Sequence, residues 1–92
     1  MPRPRLRKNI KFKPQVTYFK PQGVPLRDLK ETELSSEEVE ALRLKNIQEY
    51  DQNTCAQKMQ TSQSTFQRII SSAYKKISLA LIEGEAIKIN QK

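Results

Sequence analysis

"CAQKMQTSQSTFQRII", residues 55–70, decides how the whole chain is read. An apolar-spaced run ends at Met59, a polar break comes next over Gln60 and Thr61, and a second apolar-spaced run opens behind Ser62. Two packed helices joined by a tight corner account for this pattern, and the spacing fits a helix-turn-helix. That motif needs a small residue where its second helix crosses the first, and Ala56 stands there. It needs apolar residues one before and three after that position, which are Cys55 and Met59. It needs two more, three apart, on the second helix, which are Phe66 and Ile69. Ser62 is placed to cap that helix by accepting a backbone N–H. Gln60 occupies the turn position that favours glycine, at a cost of about 1–2 kcal/mol for a left-handed backbone. Thr61 replaces a more apolar turn residue, and its methyl can still pack.

Outward from this corner, the third helix is expected to run from the Ser62 cap to Glu83, with Gly84 as its stop. At ~100° per residue, Phe66, Ile69, Ile70, Ala73 and Ile77 cluster on one side. Ser64, Gln67, Arg68, Ser71 and Lys75 lie opposite, and no acid occurs between residues 62 and 82. A face exposed only to water ordinarily mixes charge signs. This one presents hydroxyls, amides and cations, the groups that hydrogen-bond bases and phosphates. Before the corner, "LSSEEVEALRLKNIQEY" (34–50) predicts a first helix. Ser35 and Glu38 form a capping box, and Leu34 and Val39 form a hydrophobic staple. Val39, Leu42 and Ile47 are expected inward, with Leu44 beside them. Asp51 caps a short second helix, with Tyr50 and Cys55 as its staple.

The flanks are simpler. "MPRPRLRKN" is a proline-spaced cationic arm, barred from helix and open to two readings, a solvated tail or a nucleic-acid contact. Val16 and Tyr18 alternate with polar residues as a short strand, "KPQGVP" is a turn cluster, and "EAIKIN" is a short strand near 86–90 that can pair with the one near 15–19. The fold class expected is mainly α: a three-helix helix-turn-helix domain with a basic N-terminal arm and short N- and C-terminal strands. Residues 1–33 make the arm, strand and turn, and residues 34–92 the helical domain with its long third helix and C-terminal strand.

Charge and composition narrow the function. The 92 residues carry 17 Lys and Arg against 10 Asp and Glu, a net +7, which favours a polyanionic partner. The charge is segregated: residues 1–30 hold nine bases and one acid, residues 31–60 seven acids and three bases, residues 61–92 five bases and two acids. No apolar run approaches the ~20 residues that span a bilayer, and there is no secretory h-region, so no membrane partner and a cytoplasmic setting are expected. With no His and a single Cys55, neither an internal disulfide nor a multi-Cys metal site is possible, and no cofactor is expected. General acid–base chemistry has no His or paired carboxylates to use, and Cys55 reads as a core residue, so no enzyme is expected.

The expected partner is double-stranded DNA. The third helix would enter the major groove with Gln63, Ser64, Thr65, Gln67, Arg68 and Ser71 toward the bases and Lys75 toward phosphate. Arg grips guanine bidentately and Gln grips adenine, each worth ~1–3 kcal/mol of discrimination. Gln52 and Asn53 open the second helix toward phosphate, Lys58 adds a cation, and Arg3, Arg5 and Arg7 would follow the backbone or enter a minor groove. The surplus apolar residues Ile77, Leu79, Ala80, Leu81 and Ile82 predict a homodimer, hence a palindromic site. A competing reading is a protein-interaction module. The acidic first helix, with Glu37, Glu38 and Glu40, would meet RNA polymerase or another part of the transcription machinery.

The blocks "MPRPR", "VTYFKPQGVPL", "EEVEALRL" and "TFQRIISSAYKKISLALIEGEAIKI" closely resemble a family of small, uncharacterised bacterial and archaeal proteins expected to bind DNA. The helix-turn-helix of that family is similar to the region-four domain of sigma factors. The resemblance covers nearly the whole chain and carries the motif onto residues 51–71. It implies a regulatory role on DNA. This chain departs from the pattern at Gln60, where relatives usually have Gly, and at Gln63, where Arg is common. Its arm also lacks the cysteines of several relatives, some of which are fused to a domain linked to metal-cofactor handling.

Overall fold

Three short side chains set the helix starts in the computed structural model, which describes residues 8–91. Ser35 Oγ accepts the Glu38 N–H (3.1 Å) while Glu38 Oε1 accepts the Ser35 N–H (2.8 Å), a complete capping box that opens helix α1, Ser36–Leu42. Asp51 Oδ1 accepts the Thr54 N–H at 2.7 Å and opens α2, Gln52–Lys58. Ser62 Oγ accepts the Thr65 N–H at 3.1 Å and opens α3, Gln63–Glu83. The helix ends are equally specific. After α2, Gln60 sits at φ 57°, with Thr61 N–H bonded to the Ala56 carbonyl and Gln60 N–H to that of Gln57. That is a Schellman closure with a glutamine where glycine is favoured, the strained corner expected from the sequence. Gly84, at φ 69°, ends α3 in the same way, with Glu85 N–H bonded to the Ala80 carbonyl.

The first helix differs from expectation. It does not run as one α-helix to Tyr50. From Arg43 to Ile47 it widens into a π-helical turn, with Gln48 N–H reaching the Arg43 carbonyl at 2.9 Å. An extra residue in the turn rotates the side chains beyond it. Leu44 is buried, whereas Ile47, expected inward, is 72% exposed. The chain then turns through Glu49 at φ 60°, and Tyr50 N–H bonds to the Leu44 carbonyl. The core joins Ala41 and Leu44 to Cys55, Ala56 and Met59 of the second helix and its cap, and to Phe66 and Ile70 of α3. Ala73 is buried further along α3, while Ile69 and Ile77 are half-buried.

A three-stranded sheet carries the chain's two ends. β1 (Tyr18–Phe19), β2 (Glu31–Leu34) and β3 (Ala86–Ile89) are ordered β1-β3-β2. β3 pairs antiparallel with β1, Tyr18 opposite Lys88, in line with the alternation at both ends of the sequence. It pairs parallel with β2, Glu31 opposite Ala86 and Leu34 opposite Ile89, and this strand is an addition to the sequence reading. In β2 the inner residues are Thr32 and Leu34, and Glu31 and Glu33 face water. Leu34, expected only as a staple residue, is therefore also the last inward residue of a strand that packs on α3. Mainly α with a small sheet is the architecture observed.

Candidate nucleic-acid interface

The outer face of α3 stands free of the core. Gln63, Ser64, Gln67, Arg68, Ser71 and Lys75 are all exposed, on the side opposite Phe66, Ile70 and Ala73. Side-chain hydrogen bonds order part of it. Gln67 Nε2 donates to Ser71 Oγ at 3.0 Å, one helical turn on. Gln63 Nε2 donates to Asn53 Oδ1 at 3.1 Å, and Gln52 Nε2 donates to the Gln63 carbonyl at 3.4 Å. The openings of α2 and α3 are thus tied into one polar edge, and the sequence-predicted residues Gln52, Asn53 and Gln63 meet there. Thr65 does not join the outer face. It is half-buried, its hydroxyl accepts from Ser62 Oγ at 2.9 Å, and it lines a cleft of about 360 Å³ with Lys8, Glu37, Arg68 and Ser72. Lys58 is exposed on the other side of the corner, its ammonium 4.8 Å from the centre of the Tyr50 ring. Arg3, Arg5 and Arg7 lie outside the described residues.

The electrostatics of this face are set by the packing behind it. The carboxylates of α1, expected to point outward, mostly do not. Glu38 and Glu40 are buried, each with partners inside the chain. Glu38 accepts from the Ser72 hydroxyl, from the Ser35 N–H and from Lys76 Nζ at 2.9 Å. Glu40 takes a two-pronged contact from Arg43, Nε and Nη2 each at 2.9 Å, and accepts the Lys11 N–H at 3.2 Å. Burial pushes both carboxyls up, yet the hydrogen bonds and the adjacent cation outweigh it and hold each below the usual carboxylate value. Only Glu37 keeps substantial exposure, and it pairs with Lys8 at 3.3 Å. The acids therefore consume Lys8, Arg43 and Lys76. Among the described residues Arg68 and Lys75 stand in no ion pair, so the outer face of α3 keeps its positive charge.

Cys55 is fully buried and burial pushes its thiol up, which makes it inert rather than nucleophilic. Among the described residues no cluster of three or more metal-ligating acids, Cys or His occurs, and no helix is long and apolar enough to cross a membrane. Two features escape a reading of the sequence. Asn9 anchors the start of the described chain to the corner after α2, its N–H on the Met59 carbonyl and its Nδ2 on the Lys58 carbonyl, both at 3.1 Å. Ser72 and Lys76 hold Glu38 across more than thirty residues of chain. Neither leaves a local signal in sequence.

The chain is similar to known proteins along nearly its full length. It is 49% identical over 88 residues to a protein named "UPF0251 protein" from Halothermothrix orenii, covering 96% of this chain and 65% of that one. It is 50% identical over 90 residues to a protein of the same name from Clostridium botulinum, covering 98% of this chain and 57% of that one. The chain thus spans less than two thirds of the length of these relatives. No solved structure matches. With residues 1–91 matched, the chain belongs to the family described as protein of unknown function DUF134.

Proposed function

We propose that the protein binds double-stranded DNA sequence-specifically as a transcriptional regulator acting in the cytoplasm. In this reading α2, the Gln60 corner and α3 work as a helix-turn-helix of the sigma region-four kind. The observation that carries it is the outer face of α3, which has no acid from Ser62 to Ile82 and whose Arg68 and Lys75 stand in no ion pair among the described residues. Laid in a major groove, Gln63, Ser64, Gln67 and Arg68 face base edges near the start of α3, and Ser71 and Lys75 reach the flanking backbone. The tie between Asn53 and Gln63 fixes one candidate reader before DNA arrives, which lowers the ordering cost of binding. Titration of labelled duplex by fluorescence anisotropy tests this. Arg68→Ala weakens specific binding about 5- to 150-fold, as loss of one bidentate contact requires, and leaves the thermal melt in place. Equal affinity in the two proteins overturns the reading. The competing idea, that an acidic first helix docks on RNA polymerase, gains nothing from α1, where Glu38 and Glu40 are buried and satisfied within the chain.

A further inference from the structure

The π-helical turn and the later turns of α3 leave an apolar stripe that nothing covers among the described residues. Ile47 is 72% exposed, Tyr74 42%, Leu81 74% and Ile82 81%. Tyr74 Oη donates to Asn46 Oδ1 at 3.0 Å, so the turn bearing Ile47 abuts α3 at Tyr74. At ~100° per residue Leu81 falls within ~20° of Tyr74, two turns further along the same side, with Ser78 between them. We propose that this stripe is where a second copy of the chain packs, α3 against α3, antiparallel, about a two-fold axis near Ser78.

Charge and area favour a second copy over an unrelated partner. Ile47, Tyr74, Ser78, Leu81 and Ile82 carry no charge, in a chain of net +7. Lys75, within ~20° of Ile82 on α3, borders the stripe as its one flanking cation on that helix, while the stripe's own side chains give a charged partner nothing to pair with and an apolar copy of themselves a complement. The small Ser78 lets the backbones approach, and an antiparallel pair centred on it sets Tyr74 against Ile82 of the second copy. The four apolar side chains leave roughly 500 Å² in water, the scale of patch that marks an interaction site. Two copies then bury at most about 1,000 Å², the lower bound of a specific interface. This contact also leaves Gln63, Ser64, Gln67 and Arg68 uncovered, two turns or more from the axis, and sets Lys75 at its rim.

The pairing stands on packing alone and not on the DNA reading, so it is measured without nucleic acid. Sedimentation equilibrium of the full chain at roughly 200 micromolar shows a mass of about twice 10.7 kDa. The Leu81→Lys/Ile82→Lys variant, altered only at exposed helix positions, returns to the single-chain mass with its helical circular dichroism intact. Ser78→Cys links two chains under a mild oxidant and Ser64→Cys does not, the buried Cys55 staying silent in both. A wild-type mass of one chain overturns the proposal. So does a double variant that keeps the pair, or cross-linking at Ser64→Cys equal to that at Ser78→Cys.

Discussion

Gln60 shows how much a single position can disclose through its neighbours. Helix spacing on both sides demands a left-handed residue between Met59 and Thr61, and φ there is 57°. A side chain in that conformation is strained, so Gln60→Gly is expected to stabilise the fold by about 1 kcal/mol in denaturant titration, the relief exceeding the extra unfolded-state entropy of glycine. An unchanged or lower midpoint would mean the corner is not strained. Cys55 is legible too, since an apolar-face thiol between two helices is core. It is expected to resist a thiol reagent in the native protein and to react once denaturant exposes it. Ile47 is not legible. Its place on the inward stripe assumes 3.6 residues per turn, and the π-helical turn breaks that period just before it. Glu38 is half legible: the capping box can be read from Ser35, but the cation and hydroxyl that bury it come from Lys76 and Ser72, far along the chain.

At the scale of elements, three helix starts and two helix stops are readable because caps are local chemistry, decided within four residues. β2 is not, because Glu-Thr-Glu-Leu has the alternation of a strand but little apolar content, and its pairing partner β3 lies more than fifty residues away. Glu38 joins α1 to Ser72 and Lys76 of α3, Glu40 joins it to Arg43 and the Lys11 N–H, and these buried carboxylates give the fold a pH signature. Glu38 and Glu40 titrate below the ordinary carboxyl value of 4.5 in the folded chain, so their contribution is complete above that value and is lost as pH falls through the lower folded values. The melting temperature is therefore expected to hold level from neutral pH to about 5 and to drop below about 4.5. Glu38→Gln, which cannot pair with Lys76 as an anion, flattens that drop while lowering stability at neutral pH. A melt equally steep in acid for the variant would remove Glu38 as a source.

Across the whole molecule, Glu38 and Glu40 face inward and neutralise Lys76 and Arg43, and among the described residues Arg68 and Lys75 of α3 stand in no ion pair. The sequence shows the charge blocks, though it does not show that Glu38 and Glu40 within the acidic one are buried while Glu31, Glu33, Glu49 and Asp51 are displayed. If about six phosphates are neutralised by the described cations and the arm together, log K is expected to fall against log salt with a slope of roughly −5. Shortening the arm by removing residues 1–7 reduces that slope without touching sequence preference, because arm cations that follow the backbone read no bases. The most direct test of the central claim is selection of bound duplexes from a random pool at two salt concentrations. A recurrent motif that persists at the higher salt, and that is lost with Arg68→Ala, is the predicted result. A pool that shows no enrichment at either salt, or the same enrichment with and without Arg68, would contradict it.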